Sequence, residues 1–183
     1  MTKTSSMRRS IIAILLSFVL MMPTSLVVYA DPYSSHGCQY GAISVKNYSS
    51  LYNDTWVAIL NNGRAAWNNS SANVVITTTS SSNNTIEAAN YSDTWYGLNI
   101  PNYNHTTGYT TEFHIKINSR TINNDATNLS NFAKSTVAHE FGHCFWLCDN
   151  PTTSALTLMK HNRNRNSITT PQSFDIMNVN AKY

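Results

Sequence analysis

His139, Glu140 and His143 stand in the run His139-Glu140-Phe141-Gly142-His143, with Asp149 six residues further on and Met159 ten beyond that. Residues four apart share one face of a helix, so both imidazoles can aim a nitrogen at a single metal ion. Glu140, one position along, has a carboxylate close enough to hold water at that metal and take its proton. Two histidines and a glutamate in this spacing make the arrangement of a zinc-dependent hydrolase. The plain alternative is a surface helix with two unrelated histidines. Three neighbouring features weigh against it: a helical setting, an aspartate after the helix, and a methionine placed to lie beneath the metal.

The elements that must position these residues are readable around them. Asn128 and Ser130 offer helix N-caps, and Phe132, Val137, Phe141 and Phe145 recur at helical spacings. A helix is expected over roughly 130–147, with Asp149 on the turn behind it. An irregular loop is expected over 148–169. Thr170-Pro171 reads as cap and first turn of a final helix whose Ile176, Val179 and Tyr183 share a face. Upstream, Trp56, Leu60, Gly63 and Trp67 follow a cap at Asn53 or Asp54 and predict an amphipathic helix over about 54–68. The tryptophans on that stripe read as core. Val74–Thr78 is β-branched and reads as a strand, 80–84 as a polar loop, and 85–89 and 95–100 as further strands. Phe113, Ile115 and Ile117 alternate with Glu112, His114 and Lys116, the pattern of a half-buried strand. Residues 31–50 read as an irregular lead-in. Helix, strands, helix, loop and helix make an α+β domain in which a mixed sheet packs on helices.

The run from Thr136 to Asp149, with Ser154 to Met159, resembles the metzincin zinc endopeptidases, and most of all their small bacterial matrixin-like and snapalysin-like members. The resemblance implies a zincin catalytic domain: a twisted mixed sheet on an N-terminal helix and an active-site helix, with a C-terminal helix. It implies Zn2+ held by His139, His143 and Asp149, since snapalysin-like members use aspartate as third ligand. Glu140 is then the general base, and Met159 the methionine of the Met-turn. His161, two residues after Met159, stands where astacin-like and serralysin-like relatives carry a tyrosine near the zinc; it is a candidate for oxyanion support, and the plain alternative is a solvated loop histidine beside Lys160 and Arg163. The implied substrate is a protein or peptide. One position departs from the pattern. The glycine between the second and third ligands is Trp146 here, and a non-glycine residue adopts the left-handed conformation needed there at a cost of roughly 1–2 kcal/mol. Trp146 must bear that strain or turn the chain differently. Two alternatives therefore stay open: a catalytically impaired secreted relative acting as a binding or surface protein, and a zinc hydrolase acting on a non-peptide or cell-wall substrate.

The first thirty residues read as a secretory signal. Lys3, Arg8 and Arg9 precede an apolar stretch from Ile11 to Met22, too short for a membrane span, and Val28-Tyr29-Ala30 offers a cleavage site. Residues 31–183 would then be one catalytic domain, secreted, extracellular, free of the membrane and monomeric. Removing the signal takes three of the twelve lysines and arginines and no acid, so nine basic residues face nine acidic ones. The positive charge of the full chain belongs to the targeting segment, and no basic surface points to nucleic acid. Cys38, Cys144 and Cys148 make an odd count; in an oxidising compartment one disulfide and one spare thiol are expected, with Cys38–Cys148 the favoured pair.

Overall fold

The structure is a computed structural model describing residues 31–48 and 52–183. The signal expected over 1–30 lies outside the described residues. Among the described residues a sheet and four helices form in the order β1 (Gly37–Cys38), β2 (Ala42–Asn47), α1 (Asp54–Asn68), β3 (Val75–Thr78), β4 (Thr85–Ala89), β5 (Gly97–Tyr103), β6 (Tyr109–Asn118), α2 (Ser119–Asp125), α3 (Leu129–Cys144) and α4 (Ser173–Asn180). The sheet runs β1-β6-β4-β2-β3, with β5 also paired to β6. All pairings are parallel except β5 with β6, which is antiparallel. This is the α+β arrangement expected: a mixed sheet on an N-terminal and an active-site helix, closed by a C-terminal helix.

The core follows from the two periodicities. Trp56, Ile59, Leu60 and Trp67 bury one stripe of α1, while Phe113, Ile115 and Ile117 bury one face of β6. Asn53 caps α1 by accepting from the Trp56 amide at 3.0 Å. Ala138 and Phe141 of α3 are fully buried, and the Trp67 indole donates to the Ala138 carbonyl at 2.7 Å. The two helices are thus tied by a hydrogen bond inside an apolar contact.

Several expectations need correction. The lead-in is not irregular: it carries β1 and β2, because Ile43 and Val45 alternate with Ser44 and Lys46 and Val45 is buried between β3 and β4. The helix α2 was not expected; Asn118 starts it by accepting from the Thr121 amide. The active-site helix ends at Cys144, short of 147, with Trp146 at φ 71 beyond it. The final helix begins at Ser173, not at Thr170-Pro171. Its N-cap is Gln172, whose amide donates to Asp175 at 2.8 Å. No helix among the described residues is long and apolar enough to cross a membrane.

Candidate metal centre

Helix α3 presents His139 and His143 from successive turns, with ring centroids 4.8 Å apart. Each ring is aimed by a backbone carbonyl. His139 Nδ1 lies 3.0 Å from the Leu158 carbonyl oxygen, and His143 Nδ1 lies 2.9 Å from that of Leu147. A carbonyl can only accept, so each Nδ1 carries the proton and each Nε2 keeps a bare lone pair. Both rings are disfavoured as cations, chiefly by burial.

Asp149 returns from the turn after α3. Its Oδ1 is 3.0 Å from His139 Nε2 and 3.5 Å from His143 Nε2. Two lone-pair nitrogens and a carboxylate oxygen therefore converge on one point, and no proton remains on the nitrogens to reconcile them. Such a set is satisfied by a cation. Atoms bound at ~2.0–2.2 Å to one tetrahedral ion stand roughly 3.3–3.6 Å apart, and these spacings fit zinc with little adjustment. The donor set of two imidazoles and one carboxylate also suits zinc and leaves a fourth position open.

Glu140 sits beside this point. Its carboxylate oxygens are 4.0 Å from His139 Nε2 and 4.0 Å from His143 Nε2. The group is buried, and burial together with the Asp149 charge pushes its pKa up to about 8. Strand β5 crosses directly over it: a Cβ on Gly97 would collide with the Glu140 carboxylate. The Asn99 side chain of the same strand donates to the Glu140 carbonyl at 3.0 Å.

The floor of the site is Met159, fully buried against Gly142, where a Cβ would strike its sulfur. The loop carrying it is held by Asp175 of α4. That carboxylate accepts from the Thr157 hydroxyl and from the Leu158 amide, the latter at 2.8 Å. Arg163 adds a second tie, donating to the Ser135 hydroxyl and carbonyl at 3.1 Å each and to the Lys160 carbonyl at 2.8 Å. The loop that orients His139 is therefore bound to both α3 and α4.

His139, Glu140, His143 and Asp149 come together, with Met159 beneath. His161 comes too, but its Nε2 is turned onto Asp149 Oδ1 at 2.8 Å. It thus braces the aspartate on the side away from α3, and His139, Asp149 and His161 form a second grouping of ligand atoms within 4.8 Å of one another. Trp146 takes the left-handed conformation at φ 71. Its indole donates to the Cys38 carbonyl at 3.0 Å, meets Tyr109 edge-on and lies under the Lys182 ammonium. The favoured cysteine pair does not form. All three cysteines are free, Cys38 hydrogen-bonds Cys144 in the core, and Cys148 approaches the Asp31 carbonyl at 3.5 Å. The pairing of β1 with β6 buries the Cys38 side chain against α3, while Cys148 stays half-exposed on the turn beyond that helix. Sequence reasoning missed the Leu147 and Leu158 carbonyls, Asn99 and Asp175. Only Asp175 left a signal, as an acid three residues after a helix cap.

No family model matches the chain, and no curated protein matches it. Solved structures do. A chain of the GM1-bound ECX AB5 holotoxin is similar with a TM-score of 0.50 and 13% identity, over 78% of this chain and 80% of that one. The high choriolytic enzyme 1, a hatching-enzyme zinc protease of the medaka fish Oryzias latipes, is similar with a TM-score of 0.49 and 11% identity, over 78% and 88%. Myroilysin is similar with a TM-score of 0.49 and 12% identity, over 86% and 96%. At 13% identity the likeness to the holotoxin chain concerns the fold alone.

Proposed function

We propose that this chain is a secreted, metzincin-like, zinc-dependent endopeptidase, with His139, His143 and Asp149 holding the metal. The observation that carries the reading is the convergence of two deprotonated Nε2 atoms and one carboxylate oxygen, with the Glu140 carboxyl 4.0 Å from both rings. Bound there, zinc supplies Lewis acidity, polarising a scissile carbonyl and lowering the pKa of water. Glu140 holds the attacking water, takes its proton and returns it to the leaving amine. With a dication held by His139, His143 and Asp149, the buried Glu140 would be a carboxylate near neutrality despite its desolvation. Leu147 and Leu158 fix the tautomers of the two histidines, which keeps both Nε2 atoms available. His161 holds Asp149 in place. The packing of Trp146 supports a competent site over an impaired one, because the left-handed residue is anchored on its turn.

The test is Glu140→Ala. The variant is expected to bind one zinc per chain by metal analysis and to lose casein cleavage by at least about 100-fold. His139→Ala and His143→Ala are expected to lose both zinc and cleavage. Cleavage by Glu140→Ala at the parental rate would remove Glu140 as base. Parental cleavage in the presence of excess chelator would remove the metal.

A further inference from the structure

Beside the metal centre lies a cavity of about 430 Å³, bounded by His139, Glu140 and Thr136 on α3, by Tyr96 and Gly97 at the start of β5, and by Arg163 and Arg165 of the loop after Met159. Glu140 is its one acidic lining residue, and that group is engaged at the metal centre. Among the described residues neither arginine forms an ion pair with an aspartate or glutamate. Arg163 spends its donors on the neutral oxygens of Ser135 and Lys160.

Arg165 is different. One Nη donates to the His161 carbonyl at 2.9 Å, while its Nε is buried without a hydrogen-bond partner. The guanidinium is stacked on Tyr96 at 4.8 Å and on Phe132 at 5.3 Å from the ring centroids. Those faces fix its plane and leave the donor edge as its means of recognition. The two cations repel each other, and Glu140, Asp149 and Asp175 offset this only from a distance, without an ion pair. Burial, followed by the field of Arg165, pushes Arg163 down to about 9. Two guanidiniums lining one cavity, neither ion-paired and one held in plane by two rings, match a carboxylate.

Resting on the peptidase reading above, we infer that this cavity receives an acidic side chain, aspartate or glutamate, adjacent to the scissile bond, and that Arg165 is its specificity-determining residue with Arg163 setting the local positive field. The substrate class is then proteins with acidic residues at the cleaved bond. A side chain of that size fits the volume, and the lining of His139 and Glu140 puts it next to the reacting carbonyl.

Two arms test this on the purified protein. In the first, paired peptides that differ only by Glu against Gln, or Asp against Asn, next to the cleaved bond are compared by kcat/KM. The acidic member is expected to be favoured by about 10- to 100-fold, carried mainly in KM, as expected for a charge-assisted hydrogen bond. Arg165→Gln should bring the ratio close to one, and Arg165→Lys should restore part of it. In the second arm, the fluorescence of Trp95, which also lines the cavity, is followed while N-acetylglutamate α-amide or N-acetylglutamine α-amide is added to Glu140→Ala. Saturable, salt-sensitive binding of the acidic amide alone, lost in the Glu140→Ala/Arg165→Gln double variant, supports the inference without turnover. Equal cleavage of both members of each pair overturns it and leaves the peptidase reading standing. If no peptide is cleaved, binding of the acidic amide upholds the acid receptor while the peptidase reading falls, and absence of binding removes both.

Discussion

Replacing Trp146 by glycine sets backbone strain against packing, and the structure says which wins. Trp146 sits at φ 71, a conformation that costs a non-glycine residue roughly 1–2 kcal/mol and glycine almost nothing. Relief of that strain favours the variant. Against it stands the half-buried indole. Truncating a fully buried aromatic costs about 3–5 kcal/mol, so roughly 2–3 kcal/mol applies here. The indole hydrogen bond to the Cys38 carbonyl adds about 1 kcal/mol. The Cys38 carbonyl is not left bare, since the Tyr183 hydroxyl also donates to it at 2.7 Å. The balance is a loss of about 1–3 kcal/mol, or roughly 2–12 °C in Tm for a chain of this size. Trp146→Ala separates the two terms: it loses the same packing, keeps the strained φ, and should be about 1 kcal/mol less stable than Trp146→Gly. Metal affinity should fall in both, because the Leu147 carbonyl that aims His143 and the Asp149 ligand both hang on this turn. The assays are urea unfolding of the chelator-treated proteins and zinc competition against a chromophoric chelator. A Trp146→Gly protein that is more stable than the parent and binds zinc more tightly would refute this reasoning.

Three further outcomes are expected. The metal-free protein should be most stable between about pH 4.5 and 6.5. Below 6.5 the unfolded chain gains a proton that folded His139, pushed down to about 3 by burial, refuses, so stability drops as pH falls. Above 4.5 the unfolded chain loses a proton that folded Glu140, pushed up to about 8, retains, so stability drops as pH rises. The two trends offset each other between 4.5 and 6.5. Zinc should abolish the alkaline decline, and a metal-free Tm that climbs from pH 6.5 to 8 would contradict the scheme. His161→Phe, which frees Asp149 from its 2.8 Å partner, should weaken zinc binding by about 10- to 100-fold; unchanged affinity in the chelator competition would leave His161 without that role. Asp175→Asn should cost about 1.5–3 kcal/mol in urea unfolding and weaken zinc binding as well, because the Leu158 carbonyl that orients His139 loses its tether. A stable variant with weakened zinc binding would limit Asp175 to orientation alone.

The side chains of the candidate metal centre were legible in the sequence because their chemistry is written in residue type and helical spacing. The same holds for α1, β4 and β6, where one periodicity runs for several residues and is then broken by polar loops. What was not legible has a common physical cause. The groups that aim the two imidazoles are backbone carbonyls, and every residue has one, so Leu147 and Leu158 carry no mark of the role. The strands β1 and β2 are short, and only Ile43 and Val45 hint at them. Cys38 meets Cys144 because β1 pairs with the distant β6, a contact that no local pattern encodes. Trp146 shows the limit most clearly. Sequence reasoning identified the strain at that position, but not its compensation, since the indole's partners Cys38, Tyr109 and Lys182 are scattered over the chain. A substitution at a glycine position is therefore a sign of damage only when nothing holds the new side chain. Here the replacement ties the first strand and the C-terminal end to the turn that carries Asp149, the proposed third ligand, so the departure from the motif is itself part of what holds that turn.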